Sequence, residues 1–186
     1  IDSPEYNIVT VEDPVEYQLQ GINQVSLRPE IGLTFAGCLR SILRQDPDII
    51  MVGEIRDFET VDIAIKSALT GHMVLSTLHT TTAAGSIIRL VNMGVEPFLI
   101  TASLVCIVNQ RLVRKVCEAC KESYTLTDAV AASVGFPKTK GPVVAYRGKG
   151  CKRCFNAGYS GRIVIAEVIT LTPTIKELII SRAQEH

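Results

Sequence analysis

Over the first 110 positions, short apolar runs alternate with longer amphipathic stretches. Ile8–Val11, Ile49–Val52 and Met73–Thr77 are too short for buried helices and read as buried strands. Between them the apolar positions change to helical spacing. Phe35, Leu39, Ile42 and Leu43 fall on one face of a helix predicted over 35–45, with Thr34 as its N-cap. Asp57 is placed to cap a second helix carrying Val61, Ala64, Ile65, Ala68 and Leu69, which Gly71 stops. Thr82 opens a third through Ile87, Ile88 and Val91, closed by Gly94. Pro97 opens a fourth, predicted to run towards Arg111. This alternation predicts an α/β fold, a parallel sheet with flanking helices. The pattern breaks over 117–154, where large apolar residues are few and a Gly/Pro/Lys-rich stretch runs from Gly135 to Gly150. Arg162–Ile169 is again strand-like and Thr174–Arg182 helical, and no internal repeat is visible.

Charge divides the chain at the same place. The formal net charge is zero, but residues 1–110 sum to −7, residues 111–162 to +8 and the remainder to −1. The predicted units are therefore a core over 1–110, a basic module over 111–162, and a C-terminal strand and helix over 163–186. A hydrophobic content of 47% is ample for a buried core. The longest apolar stretch, Phe98–Val108, is interrupted by Thr101 and Ser103 and falls short of the roughly 18 residues of a membrane helix. No signal peptide is visible and the first residue is Ile1, so the chain reads as part of something longer. Six cysteines, four in two close pairs, fit a reducing compartment. Cys38 and Cys106 lie in apolar patterns and are expected to be buried core residues.

The predicted strands end in polar clusters: Glu12, Asp13 and Glu16; Glu54, Arg56 and Asp57; His79 with Thr77 and Thr80. Ligands of open α/β sheets sit beyond the carboxyl ends of the strands. Acids gathered there can hold Mg²⁺ or orient a water, which suits phosphoryl transfer. Asp13-Pro14 and Asp57 can equally be turn and cap residues. Arg40 and Arg44, one helical turn apart, could stabilise phosphate charge together with Arg56, or form an exposed helix face near Asp46 and Asp48. His72, after a helix-stopping Gly, reads equally as functional or structural, and His79 at a strand end is the stronger functional candidate.

The phosphate-cradling motif GxxxxGK[ST] does not occur in these residues. Gly148-Lys149-Gly150 is a decoy, without the leading Gly or the following Ser/Thr. It lies between Cys117-x-x-Cys120 and Cys151-x-x-Cys154, four thiols that could complete one tetrahedral Zn²⁺ site. The alternative is four free or redox-active thiols.

Together these motifs resemble the type II secretion and type IV pilus-assembly ATPases over nearly all 186 residues. Glu12-Asp13-Pro14-Val15-Glu16 is similar to that family's Asp box, and Asp46–Asp57 to its Walker B region. The segment from Thr70-Gly71-His72 to Leu78-His79-Thr80 resembles its His box, and Arg40 and Arg44 its paired arginines. The tetracysteine module resembles that of the secretion and pilus-extension branch. The resemblance implies a RecA-like fold and ATP hydrolysis with Mg²⁺. It also implies a homo-hexamer at the cytoplasmic face of the inner membrane, working against a membrane platform protein. Glu12 and Glu54 would then position Mg²⁺ and the attacking water, with Asp13 and Glu16 beside them. His79, with His72 nearby, would sense the terminal phosphate. Arg40, Arg44, Arg56 and Arg162 would meet nucleotide charge.

Two other functions remain open from the residues alone. One is a zinc-dependent nucleic-acid-binding module, suggested by the basic segment. Its few aromatics (Tyr124, Phe136, Tyr146, Phe155 and Tyr159) argue against a stacking surface for nucleic acid. The other is a non-catalytic scaffold of a motor complex. The basic module could also face an anionic membrane surface or an acidic partner, or equally be a solvated face that pairs with the acidic core. The resemblance implies that the phosphate-gripping loop lies upstream of the Asp box. The purified 186-residue chain is therefore expected to release no phosphate from ATP. Release that disappears in Glu54→Gln would contradict this.

Overall fold

The computed structural model describes residues 5–136 and 141–182, so residues 137–140 of the Gly/Pro/Lys-rich stretch lie outside the described residues. The chain divides into two units, Ile1–Asn109 with Glu167–His186, and Gln110–Ala166.

In the first unit, β1 (Ile8–Glu12), β2 (Asn23–Ser26), β3 (Ile49–Val52) and β4 (Met73–Ser76) form a parallel sheet in the order β2-β1-β3-β4. The register sets Val9 beside Ile50 and Val11 beside Val52. Side chains alternate across a strand, so these four share one face. Val11, Ile50 and Val52 are fully buried there. α1 (Phe35–Ile42) covers that face with Phe35, Ala36, Leu39 and Ile42. Phe35, Leu39 and Ile42, taken from water, contribute about 1.5–3 kcal/mol each. Core burial rather than intrinsic propensity therefore holds the two-turn α1 in place.

α2 (Phe58–Leu69), α3 (Ala83–Asn92), α4 (Pro97–Ser103) and α6 (Pro173–Ile180) gather around a second core of Val61, Leu90, Val95, Ile100, Leu171 and Ile179. Caps set the helix starts. Thr34 accepts from the Gly37 N–H at 3.2 Å, Asp57 from Thr60 at 2.8 Å and Thr82 from Gly85 at 3.0 Å. Gly71 and Gly94 follow α2 and α3 at φ +105° and +99°, the left-handed conformation that ends a helix.

Two expectations are corrected. The helix opened by Pro97 does not run towards Arg111; it stops at Ser103, and β5 (Cys106–Val116) follows. Val105, Ile107 and Val108 are β-branched and favour extended backbone over another helical turn. In consequence Cys106 is exposed rather than buried, because Ile107 and Asn109 are the half-buried positions of the alternating strand. Cys38 is buried, and burial pushes its thiol pKa up.

The second unit contains β6 (Lys121–Thr125), α5 (Asp128–Ser133) and β7 (Val144–Gly148). β6 and β7 pair antiparallel, from Lys121 opposite Gly148 to Thr125 opposite Val144. β5 pairs with β8 (Tyr159–Thr170). Cations cover the tyrosines: Arg114 lies 4.0 Å from the Tyr159 ring centroid and Lys121 4.5 Å from that of Tyr146. Arg147 also pairs with Glu122 at 2.7 Å, and with Lys149 it keeps the Glu122 carboxyl below its ordinary pKa. These short strands carry few apolar residues, so periodicity alone does not reveal them.

Candidate functional site

The parallel sheet of the first unit delivers its polar strand ends to one edge. Beyond β3, the Gly53 N–H donates to the Val11 carbonyl at 2.7 Å, extending the β1–β3 pairing past the last buried residue. A Cβ at Gly53 would lie 3.1 Å from that same oxygen and 3.3 Å from the Glu12 Cα, so the close approach favours glycine. On the other side, Thr77 Oγ1 donates to the Gly53 carbonyl at 2.6 Å, and the Ile55 N–H to the Thr77 carbonyl at 3.1 Å. The exits of β1, β3 and β4 are thus stitched together.

Those exits line a cleft of about 460 Å³. Its lining includes the polar Glu12, Asp13, Glu16, Glu54 and His79 and the largely apolar Tyr17, Leu19, Phe35, Met51 and Leu75. The Glu54 side chain is 16% exposed, and each of its oxygens is engaged. Arg56 Nη2 donates to Oε1 at 2.6 Å, and His79 Nε2 stands 3.1 Å from Oε2. Arg56 Nη1 also reaches Asp13 Oδ2 at 3.8 Å. The hydrogen bond from Arg56, reinforced by its charge and by His79 and opposed by partial burial, holds the Glu54 carboxyl below its ordinary pKa. Glu12 Oε1 accepts from Thr10 Oγ1 at 2.5 Å and from Gln24 Nε2 at 3.0 Å. Gln24 belongs to β2, whose Asn-Gln-Val-Ser sequence carries no apolar run to announce a strand. A polar residue in line with Glu12 becomes visible only once the register pairs Thr10 with Gln24.

The other sequence candidates lie elsewhere. Asp57 is the N-cap of α2. Arg40 on α1 pairs with Glu59 at 2.5 Å, and Arg44 donates to the Arg40 carbonyl at 2.8 Å. His72 closes the end of α2, its Nδ1 3.0 Å from the Ser67 carbonyl and 3.2 Å from Thr70 Oγ1. None of Arg40, Arg44 and His72 lines the cleft. Arg162 is on β8 in the second unit.

In the second unit the ligand atoms of Cys117, Cys120, Cys151 and Cys154 all lie within 4.8 Å of one another. Sulfur pairs stand 4.0 Å apart for Cys117–Cys151, 3.9 Å for Cys120–Cys154 and 3.7 Å for Cys151–Cys154. A tetrahedral Zn²⁺ with ordinary Zn–S bonds needs sulfurs about 3.8 Å apart, so the cluster fits such an ion. Burial pushes the Cys120 thiol up to about 12. Burial acts the same way on Cys154, but the N–H groups of Cys151 and Gly158 at its sulfur, together with the Cys151 and Cys120 thiols, outweigh it and bring the thiol down to about 6. The glycines of Gly148-Lys149-Gly150 serve this knuckle. A Cβ at Gly148 would fall 1.9 Å from the Gly158 carbonyl oxygen, and one at Gly150 2.9 Å from that of Asn156.

The model of the family described as "Type II/IV secretion system protein" matches residues 1–186. The type IV pilus assembly ATPase PilB of Myxococcus xanthus is 55% identical over 179 residues, 95% of this chain and 32% of that protein. The type II secretion system ATPase E of Vibrio cholerae is 50% identical over 186 residues, 100% of this chain and 37% of that protein. Among solved structures, the pilus retraction motor PilT with bound ADP superposes with a TM-score of 0.65 at 30% identity, over 95% of this chain and 42% of that one. The fold class is that expected: a RecA-like parallel sheet flanked by helices, with a cluster of four cysteines. The chain spans about a third of the length of these two curated relatives.

The depressed Glu54 pKa sets a pH dependence. The Glu54–Arg56 pair contributes its stabilisation above the ordinary carboxylate pKa and loses it as pH falls through the lowered folded value. Arg56→Ala removes the principal cause, so carboxyl-carbon NMR is expected to show Glu54 titrating at a higher pH. An unmoved titration would contradict the assignment.

Proposed function

The chain belongs to the type II/IV secretion system protein family, and we propose that it forms the water-and-metal side of an Mg²⁺-dependent ATPase site. The full-length protein would be a homo-hexameric motor for type II secretion or type IV pilus assembly. One observation carries this function: three adjacent parallel strands bring Glu12, Glu54 and His79 to a single cleft, with Arg56 bonded to Glu54. Phosphoryl transfer asks for little covalent chemistry from a protein and depends on positioning and charge.

Carboxylate oxygens are the donors a hard cation prefers, and Glu12 and Glu54 supply them in the cleft's lining. Bound there with ATP, Mg²⁺ would draw charge from the phosphates. Glu12 and Glu54 would position the metal and the attacking water, and Asp13 and Glu16 would add negative charge at the cleft. His79, 86% exposed and touching Glu54, is poised to meet the terminal phosphate and report it to that carboxylate. Arg56, already bridging Glu54 and Asp13, keeps the acids from repelling one another. Arg40, Arg44 and Arg162 are assigned to nucleotide charge, and His72 to supporting the segment that leads into β4. GxxxxGK[ST] is not among the 186 residues, so the proposed activity is that of the full-length protein.

The cysteine cluster would hold a closed, four-thiolate structural Zn²⁺, with no position left open for chemistry. No helix among the described residues is long and apolar enough to cross a membrane. The proposed location is the cytoplasmic face of the inner membrane, against a platform protein. The +8 charge of residues 111–162 suits an anionic lipid surface there.

In the full-length protein, Glu54→Gln is expected to lower ATP-dependent phosphate release by at least about 100-fold, the usual weight of a positioned acid–base group. Undiminished release would overturn the proposed site. For the cluster, elemental analysis is expected to give one zinc per chain, lost in Cys154→Ser together with thermal stability. Zinc-free protein with an unchanged melting temperature would overturn that assignment.

A further inference from the structure

Glu12 and Glu54, which both line the cleft, are held differently. Glu54 has a partner on each oxygen, Arg56 on Oε1 and His79 on Oε2. Glu12 has two donors on Oε1, and its Oε2 has no hydrogen-bond partner among the described residues. An anion with one oxygen pinned and the other open is the arrangement that presents a lone pair in a fixed direction.

The pinning groups come from local geometry. Thr10 and Glu12 are two apart on β1, so their side chains share a face of the sheet. Thr10 is 2% exposed, and its hydroxyl is directed along the strand to Glu12 Oε1 at 2.5 Å. Gln24 sits opposite Thr10 in the parallel β1–β2 register, on that same face. Its amide orientation is determined by its neighbours. Oε1 accepts from the Leu19 N–H at 2.7 Å, while Nε2 donates to the Tyr17 carbonyl and to Glu12 Oε1, both at 3.0 Å. A flipped amide would set an oxygen against two acceptors and an NH₂ against a donor, losing all three bonds. Glu12 therefore receives true donors from both residues.

We propose that Thr10 and Gln24 are positioning residues that pin Glu12 Oε1 and leave Oε2 to engage a water of the metal–nucleotide complex. This rests on the ATPase function proposed above. It also separates the two carboxylates: Glu12 is presented ready for water, whereas Glu54 is engaged by Arg56 and His79. Gln24 has a second task that Thr10 lacks. By holding Tyr17 and Leu19, it anchors a segment that lines the cleft.

The test uses the full-length protein, with steady-state ATP hydrolysis at saturating Mg²⁺ and circular dichroism to establish folding. Thr10→Val keeps the shape of the side chain and removes the donor. It is expected to lower kcat about tenfold, with KM for ATP unchanged, as loss of one hydrogen bond to a charged group would. Thr10→Ser restores the hydroxyl and is expected to recover most of kcat. Gln24→Leu is expected to lower kcat and also raise KM, because the lining segment loosens. The proposal is overturned if Thr10→Val and Gln24→Leu both keep kcat within twofold while Glu12→Gln is inactive. It is overturned equally if Thr10→Ser fails to rescue and kcat merely tracks thermal stability across the set. Full activity in Glu12→Gln would instead overturn the underlying ATPase site. If Thr10→Val does not fold, the less buried Gln24→Leu still decides through its split between kcat and KM.

Discussion

The register of parallel strands β1, β3 and β4 is the constraint on which the candidate site depends. Val11 beside Val52, and Val52 beside Ser76, bring the three strands to an end at one level. The residues just beyond them must then meet. A slip of one residue would turn the buried valines towards the opposite face and carry the polar ends with them. The apolar core therefore specifies the chemistry's position without touching it. Gly53 transmits that specification, since its N–H continues the ladder by one bond and its missing Cβ admits the β1 backbone.

Crowding acids at one edge has an electrostatic cost that the cleft meets locally. Arg56 spans Glu54 and Asp13, but its side chain is 60% exposed, and its 3.8 Å approach to Asp13 is a solvent-screened surface contact that contributes little. Its 2.6 Å bond to the better-shielded Glu54 is the stronger of the two. Glu12 is met by neutral donors instead, which orient a carboxylate without cancelling its charge. The cleft thus keeps net negative character in its lining, the condition under which a divalent cation is welcome.

The elements most legible in the sequence were those with strong apolar periods. Ile49–Val52 is a strand as its four apolar residues imply, and Phe35, Leu39 and Ile42 face the core as their spacing implies. Caps were equally readable at Thr34, Asp57 and Thr82, because a side-chain oxygen three residues before a free N–H is a local signal. Elements held by non-local contacts were not. β2 is polar and owes its existence to pairing with β1. The Pro97 helix ends early because extended pairing in β5 wins over continued helical turns, and this places Cys106 at the surface. In the cleft, Glu12, Glu54 and His79 announce themselves as polar residues at strand ends. Gln24 does not, since its relation to Glu12 exists only across the strand register.

The four-cysteine cluster has one more consequence, for how the chain can vary. Its two pairs are separated by 30 residues that contain β6, α5 and β7, yet the sulfurs already stand at tetrahedral spacing, with backbone N–H groups aimed at Cys154. A cross-link of that kind closes a loop whose entropic cost grows only logarithmically, about 0.6 kcal/mol for each doubling of length. The intervening hairpin can therefore lengthen, shorten or change its decoration while the clasp at its base keeps the same geometry. What the clasp cannot tolerate is a side chain at Gly148, where two backbones touch. Variation between relatives should thus be spent inside the loop, and invariance at its neck.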